Sequence, residues 1–320
     1  MVLFLREDEV KELLTMDDAV AVLEETFRQQ GTGGVINHPR LRVKTGKSML
    51  HYLAGAVPYL GVMGYKAYTS YRGGATFRVF LHSIENGELL SIMEADFLGM
   101  IRTGAATAVA TKYMSKEAST RVGIFGTGWQ AKGQLMGVSA VRKIERVKAY
   151  SRNPDNRARF CKQMEDILGV EIIPVERPED VLKDVDILVT ATTSVEPVFR
   201  GEWLQGGVHI NAIGANFLFK RELDEETIRR SDIVVVDSKE QAKLEAGELL
   251  PPIDKGRIRW EEVYELGEIV VGKVKGRIHE EDITLFKSLG IAIEDIAVAA
   301  RVYELAVAKG LGKKLEIPSI

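Results

Sequence analysis

Residues 121–150 read RVGIFGTGWQAKGQLMGVSAVRKIERVKAY, and this stretch decides the fold of the chain. The apolar run at 121–125 predicts a buried strand, residues 129–142 predict a helix, and 146–150 predict a second strand. A helix between two strands supplies the long crossover that a parallel connection needs, so these two strands are expected to pair in parallel. The stretch therefore predicts a β–α–β unit.

The turn at 126–131 between the first strand and the helix reads GTGWQA. Gly126 permits a tight turn, Gly128 lets the backbone approach a pyrophosphate, and Ala131 allows close packing of helix on sheet. A pyrophosphate placed there meets the free N–H groups and the positive dipole end of the helix. The turn therefore predicts a dinucleotide site, with an ordinary tight turn as the alternative interpretation.

The second strand is followed by Ser151, Arg152 and Asn153, and no acidic residue stands at its end. A site specific for NAD usually has Asp or Glu here, which accepts hydrogen bonds from the ribose hydroxyls. A guanidinium flanked by a hydroxyl and an amide suits a 2′-phosphate instead, since Arg offers planar bidentate donors. The strand end therefore favours NADP over NAD, and a solvated Arg in a loop is the alternative.

The same alternation of strands and helices continues along the chain. Further strands are predicted at 171–175, 186–191, 207–213 and 232–236, with helices at 154–168, 178–184 and 224–230. Continuous apolar strands separated by helices predict a parallel sheet that is covered on both faces. The predicted fold class is α/β, with a Rossmann-type doubly wound parallel sheet in a domain of residues 119–291.

The remaining sequence, residues 1–118 and 292–320, predicts a second domain of the α+β type. Its predicted elements are helices at 6–30 (with a break near Met16), 94–113 and 291–309, and strands at 40–44, 48–53, 62–69 and 76–82. Short strands bounded by turn residues are typical of antiparallel pairing. The alanine-rich last helix is expected to return and pack on this domain.

Composition and charge exclude several classes of protein. The chain has 320 residues, a net charge of −3 and a single cysteine, Cys161. This balance does not indicate binding to nucleic acid or to an anionic membrane, and no intrachain disulfide is possible. The histidines have no metal-ligand spacing, so no metal site is predicted. The amino-terminal segment turns charged after five residues, so the expected location is the cytoplasm.

Four cations of the first domain, Arg40, Arg42, Lys66 and Arg102, are candidates for binding an anion. Lys66 interrupts an apolar strand, and Arg102 begins a segment rich in Gly, Ala and Thr. Burying such charges unpaired is costly, and an anionic substrate such as an α-carboxylate would pair with them. Surface charges or structural ion pairs are the alternative interpretation.

Several short motifs follow one another in order along nearly the whole chain. They are IRTGAA at 101–106, the turn at 126–131, Pro197 with GEWL at 201–204, HINAIG at 209–214, RELD at 221–224, FKSLG at 286–290 and Glu294-Asp295. In this set of motifs the chain resembles the ornithine cyclodeaminase/mu-crystallin family. The resemblance implies a homodimeric, NAD(P)-dependent oxidoreductase for small amino or imino acids. It also implies that the Rossmann domain is inserted into a domain for substrate binding and dimerisation.

The resemblance further implies roles for individual residues. Binding of the substrate carboxylate falls to Arg40, Lys66 and Arg102, with Arg42 competing for the role of Arg40. Lys66 is also the candidate catalytic residue, since neighbouring arginines should lower its pKa and suit it to deliver a proton. The implied cofactor contacts are Arg102, Thr127, Trp129, Gln130, Ser151, Arg152, Asn153, Thr192, Thr193 and Leu289.

Asn216 is a departure from part of this family. Cyclodeaminases and alanine dehydrogenases of the family carry an aspartate at the matching position, two residues after Gly214. Asn does not titrate, so it cannot serve as a general base. The sequence therefore favours reduction of a preformed, preferably cyclic, 2-imino acid such as Δ1-pyrroline-2-carboxylate. Alanine dehydrogenase, ornithine cyclodeaminase and a binding protein without turnover are the alternatives.

Overall fold

The computed structural model describes residues 2–316, which divide into two compact units. Unit 1 runs up to Arg102 and resumes at Ile291, and unit 2 comprises Thr103–Gly290. The change from one unit to the other falls inside a helix, whereas the sequence places a domain boundary at 118/119. Because compactness alone assigns no role to a unit, the substrate-binding and dinucleotide-binding domains stay a prediction.

Unit 2 is built on an eight-stranded sheet whose strands are all parallel, as the fold class predicted. In spatial order the strands are Glu171–Pro174, Arg146–Tyr150, Arg121–Phe125, Ile187–Thr190, His209–Ala212, Thr284–Lys287, Ile233–Val236 and Val263–Glu265. Phe125 lies opposite both Tyr150 and Thr190 in the register. The segments that follow these three residues therefore start side by side at the carboxyl ends of the strands.

Helices cover both faces of this sheet and leave its central strands buried. The helices of unit 2 are Trp129–Val141, Pro154–Leu168, Pro178–Val181, Glu225–Arg230, Lys239–Glu245, Leu250–Asp254 and Leu266–Val270, with 3₁₀ turns at Gly201–Trp203 and Trp260–Glu262. Ile124 packs in the core on one face, while its neighbour Phe125 packs in the core on the other. This alternation explains why the strand Arg121–Phe125 reads as a continuous apolar run.

Two strands of unit 2 have no counterpart among the sequence predictions. Thr284–Lys287 pairs with both His209–Ala212 and Ile233–Val236, and Val263–Glu265 forms one edge of the sheet. The first is four residues long and contains the fully buried Lys287, so its composition does not indicate a central strand. Only the pairing with its neighbours identifies it.

Unit 1 contains a second eight-stranded sheet, which is mixed. In spatial order its strands are Lys313–Leu315, Val2–Leu5, Leu89–Glu94, Gly74–Ser83, Val62–Tyr71, Ser48–Val57 and Ile36–Asn37, with Leu41–Lys44 also paired to Ser48–Val57. Only Val2–Leu5 and Leu89–Glu94 are parallel to each other, so the predicted antiparallel character holds for the rest. The sequence did not predict Val2–Leu5, Leu89–Glu94 or Lys313–Leu315 as strands.

The helices of unit 1 lie on one face of its sheet. They are Glu7–Leu13, Met16–Thr32 and Ala292–Lys309, with a 3₁₀ turn at Pro58–Leu60. Ala292–Lys309 packs against the strands Ser48–Val57 and Val62–Tyr71, so the last helix returns to this unit as expected. Among the described residues, no helix combines the length and the apolar character that crossing a membrane requires.

The helix Asp96–Met114 belongs partly to each unit. In its unit 2 part, a Cβ atom added to Gly137 of the neighbouring helix would meet the Gly104 carbonyl oxygen at 2.1 Å. The two backbones therefore approach as closely as glycine allows, which accounts for the small residues of this helix.

Candidate active site

Five charged side chains of unit 1 are buried together at the junction of three elements. Lys66 lies in the middle of the strand Val62–Tyr71, and Arg102 lies on the helix Asp96–Met114. Glu294 and Asp295 lie in the first turn of the helix Ala292–Lys309 and are fully buried. Arg40, immediately before a strand, completes the group, which we call the charge cluster; its three cations are 4–7% exposed.

Asp295 is the acceptor that connects two cations of the charge cluster, Lys66 and Arg102. Its Oδ1 atom lies 2.9 Å from Lys66 Nζ and 3.0 Å from Arg102 Nε. Arg102 also donates through Nη1 to Glu294 Oε2 at 2.5 Å. Charge-assisted pairs of this kind offset part of the cost of taking the charges out of water.

The environment of Lys66 disfavours its charged form. Burial lowers the pKa of Lys66 below its ordinary value, Asp295 opposes that shift, and Arg102 and Arg40 add to it. Arg40 thus acts electrostatically on Lys66, as the sequence predicted for two neighbouring arginines. A lysine held in this way is suited to giving up a proton.

The charge cluster has one positive charge in excess when Lys66 is protonated. The buried ionisable side chains in the described part of unit 1 are Arg40, Lys66, Arg102, Glu294, Asp295 and His51. Burial, with Arg42 and Arg40, lowers the pKa of His51 to about 4, so this ring is neutral near pH 7. Three cations and two carboxylates therefore remain, and a singly charged anion would balance them.

Arg42 lies outside the charge cluster, and the cluster contains two carboxylates for which the sequence indicated no role. Arg42 is only partly buried and pairs in register with His51, whereas Arg40 is buried in the charge cluster. In the sequence, Glu294-Asp295 is one of the motifs that carry the family resemblance. Their separation from Lys66 along the chain, 229 residues for Asp295, explains why local patterns did not find this pairing.

In unit 2 the glycine turn has the geometry that a dinucleotide requires. Gly126 has φ +104°, and a Cβ atom there would meet the Ala191 carbonyl oxygen at 2.3 Å, so only glycine fits. Gly128 caps the helix Trp129–Val141, and nothing lies within 4 Å of its added Cβ position. The open space at Gly128 leaves the helix N-terminus accessible to a phosphate group, so the residues present fit the predicted cofactor.

A cavity of about 450 Å³ lies beside this turn within unit 2. The predicted contacts Thr127, Ser151, Arg152, Thr192 and Thr193 all line it. Thr127 Oγ1 and Ser151 Oγ are 3.0 Å apart, which joins the turn to the end of the second strand. The structure thus brings these five residues together.

Other predicted cofactor contacts of unit 2 do not line this cavity. Gln130 follows Trp129 on the helix, and Trp129 lines a neighbouring cavity of about 340 Å³. Asn153 caps the helix Pro154–Leu168, since its Oδ1 accepts from the Asn156 N–H at 2.8 Å. Leu289 is buried, and its backbone N–H donates to Asp237 Oδ2 at 2.6 Å.

Two positively charged side chains that were not predicted from the sequence line the neighbouring cavity. Lys132 and Arg159 line it together with Thr127 and Trp129. Lys132 lies three residues after Trp129, and its Nζ is 5.8 Å from the indole ring centroid. A basic residue one turn into the helix is the signal that could have identified it.

A buried carboxylate holds the ends of two adjacent strands in unit 2. Glu222 accepts from Thr190 Oγ1 at 2.9 Å, from the Thr192 N–H at 2.6 Å and from the Gly214 N–H at 2.6 Å. Burial raises the pKa of Glu222, although Lys287 and hydrogen bonding with Thr192 oppose that shift. Glu222 thereby fixes the segment that carries the cavity residues Thr192 and Thr193.

The loop that contains Asn216 is held from a second direction. Lys287, fully buried, donates through Nζ to the Ala215 carbonyl oxygen at 2.5 Å and lies 3.4 Å from Glu248 Oε1. The Glu222 backbone N–H donates to the same Glu248 oxygen at 3.1 Å. These contacts explain why Lys287 occupies a central strand, where an unpaired lysine would be costly.

Two further residues of unit 2, His209 and Cys161, are buried, and burial shifts the pKa of each. His209 is fully buried between Thr284 Oγ1 and Asn211 Oδ1, and burial lowers the pKa of His209 to about 3. Burial also raises the pKa of the Cys161 thiol to about 11. Within residues 2–316, no group of His, Cys, Asp or Glu side chains is arranged to hold a metal ion.

Comparison with known proteins identifies the family. The family model "Ornithine cyclodeaminase/mu-crystallin family" matches residues 2–310. The chain belongs to this family. It is therefore an enzyme, a nicotinamide-dependent oxidoreductase, and the resemblance drawn from the motifs is confirmed.

Individual relatives are similar over most or all of their length. A Δ1-pyrroline-2-carboxylate reductase of Thermococcus litoralis, solved with NADH and L-proline, has a TM-score of 0.94 and 36% identity and covers 98% of this chain and 100% of its own. An archaeal alanine dehydrogenase dimer with bound NAD has a TM-score of 0.92 and 36% identity, covering 98% and 99%. A Δ1-pyrroline-2-carboxylate reductase of Bacillus cereus is 40% identical over 239 residues, 74% of this chain and 73% of its own.

Proposed function

We propose that this enzyme reduces a cyclic 2-imino monocarboxylate, such as Δ1-pyrroline-2-carboxylate, to the L-amino acid. The observation that carries the proposal is the charge cluster of unit 1, which has one positive charge in excess when Lys66 is protonated and then matches one substrate carboxylate. Similarity to two Δ1-pyrroline-2-carboxylate reductases supports the same substrate class. Asn216 supports a reaction that needs no general base at its position.

The residues of the charge cluster have distinct tasks in this proposal. Arg40 and Arg102 bind the carboxylate, while Glu294 and Asp295 hold the cations in place before the substrate arrives. Lys66 orients the substrate and donates the proton that the imine nitrogen gains as its carbon gains a hydride. An anionic substrate near Lys66 favours the ammonium form, which keeps the proton available in the complex.

The cofactor supplies the hydride, and the residues of unit 2 bind and orient it. The N-terminus of the helix Trp129–Val141 would hold the pyrophosphate, with Thr127, Trp129 and Gln130 as its neighbours. Thr192 and Thr193 would lie on the nicotinamide side, and Leu289 and Arg102 remain proposed cofactor contacts.

The proposed cofactor is NADPH in preference to NADH. Arg152 is exposed at the rim of the larger cavity, and Ser151 lies beside it. A 2′-phosphate would receive hydrogen bonds from both side chains, and Asn153 remains a proposed third donor despite capping a helix. NADH and NAD are bound in the two related structures, so this preference rests on the residues of this chain.

Alanine dehydrogenase is the second candidate, since a relative of that name matches the whole chain. The two activities separate in one assay of NADPH absorbance, with Δ1-pyrroline-2-carboxylate or with pyruvate and ammonia as substrate. Efficient reduction of the pyrroline is expected, and turnover of pyruvate and ammonia alone would contradict the proposal. Ornithine should release little ammonia, and robust release would identify a cyclodeaminase.

Asn216→Asp tests the argument from the missing acid. A carboxylate at this position adds a titratable group, so deamination of ornithine should rise from a low level. Positioned acid–base groups are worth about 10²–10⁴ in rate, which sets the size of change to look for. Robust cyclodeamination of ornithine by the wild-type enzyme would contradict the argument and show that another residue relays the proton.

We also propose that the enzyme is a homodimer formed through unit 1. The sheet face opposite the helix Ala292–Lys309 exposes apolar side chains on adjacent strands. They are Leu41, Val43, Leu50, Tyr52 and Met63, of which Leu41 and Val43 are more than 60% exposed. An apolar face of this kind is typical of an interface, and a related enzyme is a dimer.

A further inference from the structure

We propose that Tyr68 and Phe77 form an aromatic wall that makes the enzyme prefer substrates with a ring or an extended apolar chain on the α-carbon. The Lys66 ammonium lies 5.9 Å from the Tyr68 ring centroid and 5.4 Å from that of Phe77. The two ring centroids are 5.0 Å apart. This inference rests on the proposed function, because it takes Lys66 as a group that meets the substrate.

The register of the sheet in unit 1 places these side chains on one face. Tyr68 follows Lys66 by two residues along the same strand, so both side chains project from the same side. Tyr68 pairs with Phe77 on one neighbouring strand and with His51 on the other. The three rings thus form a row across three strands, next to the position of Lys66.

Contacts with neighbouring side chains hold the Tyr68 ring of the wall in one orientation. The His51 and Tyr68 rings are stacked, with centroids 4.0 Å apart and planes 5° from parallel. His51 Nε2 lies 3.1 Å from Ser70 Oγ, which fixes the imidazole in turn. Since the pKa of His51 is about 4, the imidazole at one end of the row carries no charge near pH 7.

The two rings of the wall keep part of their surface exposed, and a ligand could cover it. Tyr68 and Phe77 are only partly buried, whereas His51 and Lys66 are buried. A substrate whose carboxylate reaches Lys66 would bring its α-carbon substituent against these rings. The pyrroline ring has more apolar surface to place there than the methyl group of an alanine precursor has. A single methylene in an apolar pocket changes specificity by about 10-fold or more.

The test compares a cyclic and an acyclic substrate in variants of the wall. We measure kcat/KM for Δ1-pyrroline-2-carboxylate and for pyruvate with ammonia, and take their ratio. Phe77→Ala and Tyr68→Ala should each lower this ratio about 10-fold, chiefly through the cyclic substrate. Phe77→Leu keeps an apolar side chain and should retain most of the wild-type ratio. Tyr71→Ala is the matched control, because Tyr71 lies on the same strand and is 53% exposed.

An equal loss on both substrates would overturn the inference, since the rings would then support Lys66 and not the substrate. An unchanged ratio would overturn it as well. A wild type without imine reduction would contradict the proposed function instead, so the two failures are distinguishable.

A binding measurement on the wild-type protein does not depend on variants that fold. Calorimetric titration should give pyrrole-2-carboxylate at least a 10-fold lower Kd than acetate, which has the carboxylate without the ring. Equal affinity for the two anions would count against the wall, whatever the catalytic results.

Discussion

Among single residues, Lys66 has an environment that bears directly on the proposed proton transfer. Its pKa is lowered by burial first and by Arg102 and Arg40 next, against the pull of Asp295. As pH rises through that pKa, Lys66 loses the proton that it donates in the proposed reaction, so kcat/KM for imine reduction should fall. Because the pKa is lowered, the fall should begin below the range near 10.4 where an ordinary lysine titrates.

Lys66→Arg separates the charge of this residue from its proton. The guanidinium can bind the carboxylate but does not give up a proton. We expect kcat to fall about 10²–10⁴-fold while KM for the imine changes much less. The pH-dependent fall assigned to Lys66 should also disappear from the profile. A variant with wild-type kcat would remove Lys66 from the catalytic role.

Arg152 is the residue that we propose favours NADPH over NADH. A charge-assisted hydrogen bond to phosphate is worth about 1.5–3 kcal/mol, so Arg152→Ala should lower kcat/KM for NADPH at least about 10-fold more than for NADH. Arg146→Ala is the control, because Arg146 begins the strand after which Arg152 lies and pairs with Glu171. Equal losses with both cofactors, or a wild-type preference for NADH, would refute the assignment.

At the scale of the element, Glu222 ties the ends of two neighbouring strands together. Its carboxylate accepts three hydrogen bonds from Thr190, Thr192 and Gly214. In Glu222→Gln an NH₂ group would face a backbone N–H, and leaving a buried donor unpaired costs about 1–3 kcal/mol. We expect the free energy of unfolding in urea to fall by that amount. KM for the cofactor should rise, since Thr192 lines the cavity.

Glu202→Gln is the control for this prediction, because the Glu202 side chain is 62% exposed and lies in a nearby 3₁₀ turn. It should change neither stability nor KM. A loss of stability in Glu222→Gln with an unchanged KM would mean that the carboxylate supports the fold without positioning the cavity.

At the scale of the whole molecule, the exposed apolar face of unit 1 predicts the oligomeric state. Light scattering at micromolar concentration should give about twice the chain mass of 35.5 kDa. Adding charge with Leu41→Asp and Val43→Asp should shift the protein towards the monomer, since unpaired carboxylates would be buried in the interface. Leu244→Asp, at an exposed leucine of unit 2, should leave the mass unchanged. A monomeric wild type would contradict the proposed dimer.

Local patterns in the sequence were enough for the parallel sheet, the glycine turn and the family. The alternation of apolar strands and helices reports burial on both faces of a sheet, and it depends on neighbouring residues only. The turn at 126–131 is also local, and Gly126 has the positive φ that its residue type allows. The charges of Lys66 and Arg102 contrast with apolar or small neighbours in the sequence, whereas the role of Arg40 was implied by the family resemblance.

Only the tertiary structure decided which groups those cations meet. Asp295 and Glu294 reach Lys66 and Arg102 from a helix near the other end of the chain, and no local pattern encodes such a pairing. The strand Thr284–Lys287 likewise owes its place to its partners, since a buried lysine is tolerated only where a carbonyl and a carboxylate receive it. The aromatic wall depends on the register of three strands, which joins residues that are distant in sequence. Composition and periodicity determine which segments are buried, whereas the energy of a buried charge depends on the particular atoms around it.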